Sequence, residues 1–532
     1  MTSLRADLAL ALSATLLLSP GLPATALPTV GEATAVAAPR VQVEAGGLIG
    51  TTTSDSQVSV FKGIPFASPP VGPRRWRLPG PVAHWPGYRH AVAFAPSCPQ
   101  PSIPGASPPS RTSEDCLYLN IWAPKHPTNE VLPVMVWIHG GGFLFGSSAE
   151  PVYDGLNLAL HGVVVVTFDY RLGVLGFLTP PGVVDDAGGA RGNYGLADQI
   201  AALQWVHRNI AGFGGDPRNV TVFGESAGSI ALSSLMASPE ARGLFSRAIG
   251  ESGAEFTLSE RTLHLRPAAD VARETAAWAT SLHAPSLTAL RGVSVGELLQ
   301  AAARAPQLFQ PVIDGRIIPA DLYTLYGRHE QMQLPLLVGW NQHEATYFIR
   351  AFRLAVPATA EAFRDSVQAR FGTEAQSVLD VYPAHTEREA RSSYYSLVAD
   401  EYMGFPIRAW AKQHAQSSAV FAYEFDRAPG SGLNGTTPSD TSPTHGDELE
   451  YVFGTLPPDA SAADRAVSNQ IMQYWTNFAR NGDPNGGNLP RWPRYSSDAL
   501  LVMHLDQIAE PKLDENDGRA GLLQRVLQSH RD

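Results

Sequence analysis

Ser226 lies in Val220-Thr-Val-Phe-Gly-Glu-Ser-Ala-Gly-Ser-Ile230, between a β-branched run and a helix-permissive stretch, Ser229-Ile-Ala-Leu-Ser-Ser-Leu-Met236. The pattern predicts a strand, a sharp turn and a helix, with the hydroxyl raised at the apex as a nucleophile. Gly224 and Gly228 keep Cβ atoms out of the turn, so backbone and base can approach. Glycine accounts for 48 of the 532 residues, so Gly-x-Ser-x-Gly alone can arise by chance. The chemistry therefore depends on partners elsewhere in the chain.

A serine that transfers acyl groups needs an oxyanion hole, a base and a group that orients the base. Val136-Trp-Ile-His-Gly-Gly-Gly-Phe143 ends an apolar run in three glycines, whose amides can turn inward to hold negative charge on a carbonyl oxygen. With the amide after the nucleophile, the donors would be Gly141, Gly142 and Ala227. A phosphate cradle is the competing reading, but no Lys-Ser/Thr follows the glycines.

Nine histidines follow Ser226, so the base must be selected. His445, in Thr444-His-Gly-Asp-Glu-Leu-Glu-Tyr-Val-Phe-Gly454, follows a strand and a polar loop, where a base can reach the elbow; His343 is its rival. Glu344 follows a strong strand pattern at Leu334–Trp340, and the chain order Ser, acid, His suits such an elbow. Asp314, Asp400 and Asp447 are alternative acids at this level.

The elements that must position these groups are legible in outline. Leu132–His139 and Val163–Tyr170 are continuous apolar runs of strand length, the mark of strands buried on both faces. Further strands are expected at Ala248–Ser252, Leu334–Trp340 and Val420–Phe425, with a helix at Asn193–Ile210. Strands alternating with helices imply an α/β fold with a mostly parallel sheet. Val41–Phe61 reads as an opening hairpin, 96–114 as loop, and 260–305 and 357–415 as helical insertions over the sheet. Gly430–Pro443 is a short linker-like stretch, and no internal repeat is present.

Hydrophobic residues make up 44% and charged residues 17%, enough for a large core. A net charge of −11 without a basic run argues against a nucleic-acid partner. Leu8–Leu18 is an apolar core followed by small-x-small sites at Ala24-Thr25-Ala26 and Ala35-Val36-Ala37, as in a secretory signal peptide. The chain thus divides into a signal segment 1–26 (cleavage up to 37), a disordered leader 27–40 and one catalytic domain 41–532. No apolar run is long enough to anchor the protein in a membrane. Cys98 and Cys116 are the only cysteines, and in a secreted chain they are expected to pair. Two thiols without a nearby histidine cluster do not make a zinc site.

Taken together, Phe61-Lys-Gly-Ile-Pro-Phe-Ala, Ser113-Glu-Asp-Cys-Leu-Tyr-Leu-Asn-Ile-Trp, the HGGGF loop, Asn193-Tyr-Gly-Leu-Ala-Asp-Gln, Asn209-Ile-Ala-Gly-Phe-Gly-Gly-Asp-Pro, GESAGS and HGDELEYVFG resemble the type-B carboxylesterase/cholinesterase family. The resemblance runs from about residue 41 to 495. It implies an α/β-hydrolase fold, a Ser226–His445–Glu344 triad, oxyanion donors at Gly141, Gly142 and Ala227, and no cofactor or metal. The acid loop departs from the family pattern, which has an Asp before the Glu where this chain has His343.

The same comparison shapes the expected substrate. Cholinesterases place a Trp in the loop matching Cys98–Cys116 to contact the choline cation; this loop has no aromatic residue. Family lipases make it an amphipathic lid, whereas Pro99-Gln-Pro-Ser-Ile-Pro-Gly-Ala-Ser-Pro-Pro-Ser110 has almost no apolar face. Gln307-Leu-Phe-Gln-Pro-Val-Ile-Asp-Gly315 resembles the family's acyl-pocket strand, giving Phe309, Gln307 and Phe143 as substrate-binding candidates. The expectation is a secreted esterase for short to medium acyl or aryl esters. A lipase, a carbamate or polyester hydrolase, and a non-enzymatic adhesion-type relative are the other readings; the last would have lost its triad residues.

Overall fold

In a computed structural model, the apolar runs become the centre of a large twisted sheet. The structure describes residues 37–529 except 103–108, 126–129, 181–191, 257–263, 428–441 and 497. The signal segment 1–26, most of the leader 27–40 and most of the stretch 430–443 lie outside the described residues.

The large sheet has 11 strands. In chain order they begin with β1 (Thr51–Thr52), β2 (Val58–Pro65), β3 (Tyr118–Pro124), β4 (Leu132–Ile138), β5 (Val164–Phe168) and β6 (Gly215–Glu225). They continue with β7 (Arg247–Glu251), β8 (Leu336–Asn341), β9 (Val420–Phe425), β10 (Leu501–Leu505) and β11 (Glu510–Leu513). Across the sheet the order is β1-β2-β3-β5-β4-β6-β7-β8-β9-β10-β11. Every pairing from β5 to β10 in that order is parallel, and antiparallel strands close both edges. Residues 38–532 form one compact unit.

The chain leaves β4 for β5 on one side and returns to β6 on the other. The carboxyl ends of β4 and β6 therefore flank a point where the winding reverses, the place where open α/β sheets leave a crevice. The glycine loop follows β4 and Ser226 follows β6, so topology alone delivers both to that crevice.

Both faces are covered. On one side α1 (Tyr194–Asn209) and α2 (Ala227–Ala237) pack over Val136, Val166 and Val222. The helical segment after β8 adds α3 (Ala345–Ala351), α4 (Ala360–Phe371), α5 (Glu387–Ala399) and α6 (Phe405–Ala415). On the opposite face α7 (Ala462–Asn481) covers Trp137, Phe223, Phe421 and Tyr423. Its limits are written locally: Ser461 and Asp464 form a reciprocal capping box, and Gly482 ends the helix in the left-handed conformation.

Some expectations shift. The opening segment forms two pairings in different sheets, because Arg40–Val43 pairs with Gly46–Ile49 apart from the large sheet, while β1 pairs with β2 within it. The strand expected at Val163–Tyr170 stops at Phe168, since Asp169 Oδ1 turns to accept the Ser148 amide and Tyr170 donates its hydroxyl to the His139 carbonyl. Among the described residues no helix is long and apolar enough to cross a membrane.

Cys98 and Cys116 are disulfide-bonded and buried. The start of their loop is tied to the glycine loop by Gln100, whose amide both donates to the Gly146 carbonyl (2.9 Å) and accepts from its N–H (3.0 Å). Closing a loop across 18 positions stabilises a fold by about 3 kcal/mol in the chain-entropy account. Replacing both cysteines by serine is therefore expected to lower unfolding free energy by about 2–4 kcal/mol, read from urea titration; an unchanged midpoint would contradict it.

Candidate active site

The elbow is built by close backbone approach. Ser226 has φ +53° and ψ −122°, a conformation that non-glycine residues reach only when the surroundings impose it. Its N–H donates to the Glu251 carbonyl (2.9 Å), and its carbonyl accepts from Ile230 (2.9 Å). A Cβ on Gly228 would lie 2.0 Å from the Ile138 carbonyl oxygen, so only glycine lets α2 start this close to β4.

The glycine loop lies against the elbow: a Cβ on Gly140 would sit 3.1 Å from Ser226 Cβ. Gly141 turns at φ +99°, where a side chain would strike the Phe145 carbonyl at 2.0 Å. Leu144 and Phe145 close the turn on the Gly141 carbonyl. Ala227 is the first residue of α2, where amides lack intrahelical acceptors. His139 holds the loop's base, stacked on Tyr170 at 4.5 Å; burial pushes its imidazole down to about 4, so it is neutral. The start of the glycine loop at Gly140 and the start of α2 at Ala227 thus both adjoin Ser226.

His445 connects the elbow to an acid. Its Nε2 lies 2.9 Å from Ser226 Oγ and its Nδ1 lies 2.7 Å from Glu344 Oε2. The other oxygen of Glu344 accepts the Asn341 amide (2.8 Å), which fixes the carboxylate at the start of α3. His343 is exposed and its backbone N–H donates to the Pro443 carbonyl (3.0 Å). The alternative acids are engaged in other bonds. Asp447 accepts the Thr444 amide, Asp314 closes a turn onto Arg316 and Ile318, and Asp400 receives the Tyr382 hydroxyl.

Several residues at the site were not visible in the sequence pattern. Glu225 Oε1 lies 3.1 Å from His445 Nε2, so the imidazole has carboxylates on both nitrogens. Tyr347 and Phe348 pack on the imidazole at 5.0 and 4.8 Å between ring centroids. Gln310 extends its amide to the Gly142 carbonyl (3.4 Å). The expected pocket residues behave differently. Phe143 packs edge-on against Phe177 and Phe309 against Trp278, and both are 0% exposed. In this conformation both rings belong to the main apolar core. Gln307 is exposed on a short turn.

The electrostatics follow from burial. Burial alone would drive the His445 imidazole down, but the negative charges of Glu225, Glu344 and Asp447 outweigh it and push it up to about 9. Burial pushes Glu225 up to about 7, although the charge of His445 pulls the other way. Among the described residues Glu424, Asp426 and His504 have the spacing of a metal trio. Within the trio His504 Nδ1 meets Asp426 Oδ2 (2.5 Å) and Trp340 donates to Glu424 Oε2 (3.1 Å), while Asp426 Oδ1 is buried without a hydrogen-bond partner.

Beyond this geometry, residues 37–519 match the model of the carboxylesterase family. The chain belongs to the carboxylesterase family. It is similar to a fumonisin B1 esterase from Sphingopyxis macrogoltabida, 37% identical over 85% of this chain and 84% of that one. Carboxylesterase 1D of Mus musculus is 35% identical over 82% and 84% of the two chains. A solved PNB esterase superposes with a TM-score of 0.78 at 33% identity, covering 92% of this chain and 99% of its own. This carboxylesterase-family chain is thus an α/β-hydrolase and an ester-hydrolysing enzyme.

The Glu225 carboxylate facing Nε2 gives a pH prediction. Only the neutral imidazole accepts a proton, and an adjacent anion favours the charged form. Glu225→Gln should therefore lower the imidazole's proton affinity and move the acid limb of kcat/KM to lower pH by about 1 unit. A pH–rate profile on a soluble ester checks this; an unmoved or raised limb would refute it.

Proposed function

We propose that the protein is a secreted carboxylic ester hydrolase acting through an acyl-enzyme on Ser226, with His445 as base and Glu344 as its orienting acid. The observation that carries this reading is the imidazole bridging Ser226 Oγ and Glu344 Oε2 at 2.9 and 2.7 Å. His445 takes the hydroxyl proton as Ser226 attacks the ester carbonyl. The carbonyl oxygen becomes an oxyanion facing the amides of Gly141, Gly142 and Ala227. His445 then returns the proton to the departing alkoxide, and the alcohol leaves. Water, deprotonated by the same imidazole, attacks the acyl-enzyme and releases the acid and Ser226. Glu344 keeps the Nδ1 proton in place and stabilises the imidazolium that forms twice in the cycle.

The substrate reading is short to medium acyl or aryl esters met in free solution. The pinning of Gln100 to Gly146 supports it, because a loop fastened to the glycine turn is a poor lid for interfacial opening. The apolar segment Leu8–Leu18 with its small-residue sites supports export as a signal segment, ahead of a single catalytic domain from about residue 41.

Ser226→Ala should reduce hydrolysis of a p-nitrophenyl short-chain ester by about 10⁴-fold or more while leaving the thermal melt in place. Glu344→Gln should cost roughly 10³–10⁴-fold in kcat, whereas Asp447→Asn, which keeps an oxygen for the Thr444 amide, should cost less than about tenfold. The reverse ranking would move the acid to Asp447. A panel of esters varied in acyl length and alcohol, soluble and emulsified, tests the substrate class; preference for the emulsion would favour a lipase.

A further inference from the structure

The ester-hydrolysing triad uses one buried carboxylate, yet the sheet buries three more behind it. Strand register aligns Glu225 on β6, Glu251 on β7, Gly339 on β8 and Tyr423 on β9 in one row, on the face covered by α7. From the helix side Glu448 enters the same layer. The residues are 5% (Glu225), 0% (Glu251), 0% (Tyr423) and 1% (Glu448) exposed.

Their hydrogen bonds are uneven. Glu251 Oε1 accepts the Trp475 indole N–H at 2.7 Å, and Glu448 Oε2 accepts from Asn341. Glu251 Oε2, Glu448 Oε1 and the Tyr423 hydroxyl are buried and have no protein partner. A Cβ on Gly339 would fall 2.3 Å from the Tyr423 ring, so that ring lies across the gap the glycine leaves in the row.

The charges acting on the three acids are one another's and those of Glu150, Glu344 and His445, with no Lys or Arg among them. Asp447 acts on His445, and the Tyr153 phenol faces Glu150, Glu225 and Glu448. One imidazolium cannot compensate this many buried carboxylates, so some must hold their protons. A neutral carboxyl is also the only form of Glu251 that can donate from Oε2.

We propose that Glu251 is a positioning residue, present as a neutral carboxylic acid whose O–H points along the row to the Glu225 and Glu448 carboxyls and fixes Glu225 beside His445 Nε2. The inference rests on His445 being the base of Ser226. Glu251 touches neither substrate nor reacting atoms and acts only through Glu225. Burial pushes its carboxyl up to about 8, with the Trp475 N–H pulling down and Glu225 pushing up. The neutral form therefore holds through neutral pH and is lost on the alkaline side.

The test is the kcat/KM profile of the full-length enzyme on a soluble p-nitrophenyl ester from about pH 5 to 10. Glu251 is neutral below about pH 8, and as it ionises above that its charge reaches His445 through Glu225, so the wild-type limb set by His445, near about 9, should be drawn out to higher pH in its upper part. Glu251→Gln cannot ionise but still accepts from Trp475 and donates along the row. It should keep the wild-type foot of the limb below about pH 8 and rise more steeply above it, as a single ionisation. A limb displaced downward along its whole length would mean that Glu251 is an anion at neutral pH, and an unaltered profile would mean that it only fills the core. Either result overturns the proposal. Trp475→Phe provides a second arm if Glu251→Gln does not fold. It removes the N–H that lowers the Glu251 carboxyl, so the drawn-out part of the limb should begin at higher pH; an unmoved onset again overturns it. Ser226→Ala measured alongside separates the two readings, because hydrolysis that survives it refutes the triad and not the role of Glu251.

Discussion

The site depends on how closely α2 approaches the end of β4. Gly228 sits where a methyl group would reach the Ile138 carbonyl, and Ser226 takes a positive φ that its neighbours must enforce. Such strain costs about 1–3 kcal/mol and persists only where surrounding structure over-determines it. Here β6 is paired in parallel on both sides, α2 is buried along its length, and the Ser226 amide is held by β7. The approach has two consequences from one cause. It lifts the hydroxyl out of the sheet, and it brings the start of α2 next to the glycine loop, so Ser226 and the proposed oxyanion donors share one backbone arrangement.

A second constraint is electrostatic. An imidazole 8% exposed would ordinarily shed its proton, yet His445 carries carboxylates on both nitrogens. That arrangement suits a group that must become positively charged during the reaction. It also has a cost, because an anion at Nε2 stabilises the charged imidazole before the reaction begins. The buried acids behind Glu225 offer a way to moderate this, since a carboxyl that retains its proton donates a hydrogen bond without adding charge. In the proposed arrangement, catalysis and resting-state protonation are set by the same row of side chains.

Much of this was legible in the chain because central parallel strands are buried on both faces and write themselves as apolar runs. Leu132–Ile138, Arg247–Glu251, Leu336–Asn341 and Val420–Phe425 fall within two residues of the expected positions. The edges were not legible: every residue of Glu510–Leu513 is exposed, so no alternation marks that strand. Ser226, Glu344 and His445 carry motif and chain-order signals that associate them before the fold is known. Glu225 occupies the variable position of Gly-x-Ser-x-Gly and Glu251 ends a strand, so each reads as an ordinary polar residue until register places them side by side. Phe143 and Phe309 differ in the opposite sense: both are buried in this structure. An aromatic residue near an acyl pocket has the right chemistry for a wall, but its type does not say which way the ring turns, and both rings turn into the core.

The loop closed by Cys98–Cys116 shows how substrate scope and stability meet. In an α/β-hydrolase the loops at the carboxyl ends of the strands are free to vary because the sheet carries the fold. This one is bound at its base by a disulfide and by Ser97, which meets Ser147 at 2.8 Å, as well as by Gln100 on Gly146. Those contacts fall on residues just after the three glycines, so anchoring the loop also stiffens the turn that carries the proposed oxyanion amides. Preorganised donors are worth most when they need not move as charge develops. A mobile lid would have to give up this anchoring, and with it part of the rigidity of the oxyanion turn. The anchored ends of the loop and the proposed preference for soluble esters thus trace to the same set of contacts.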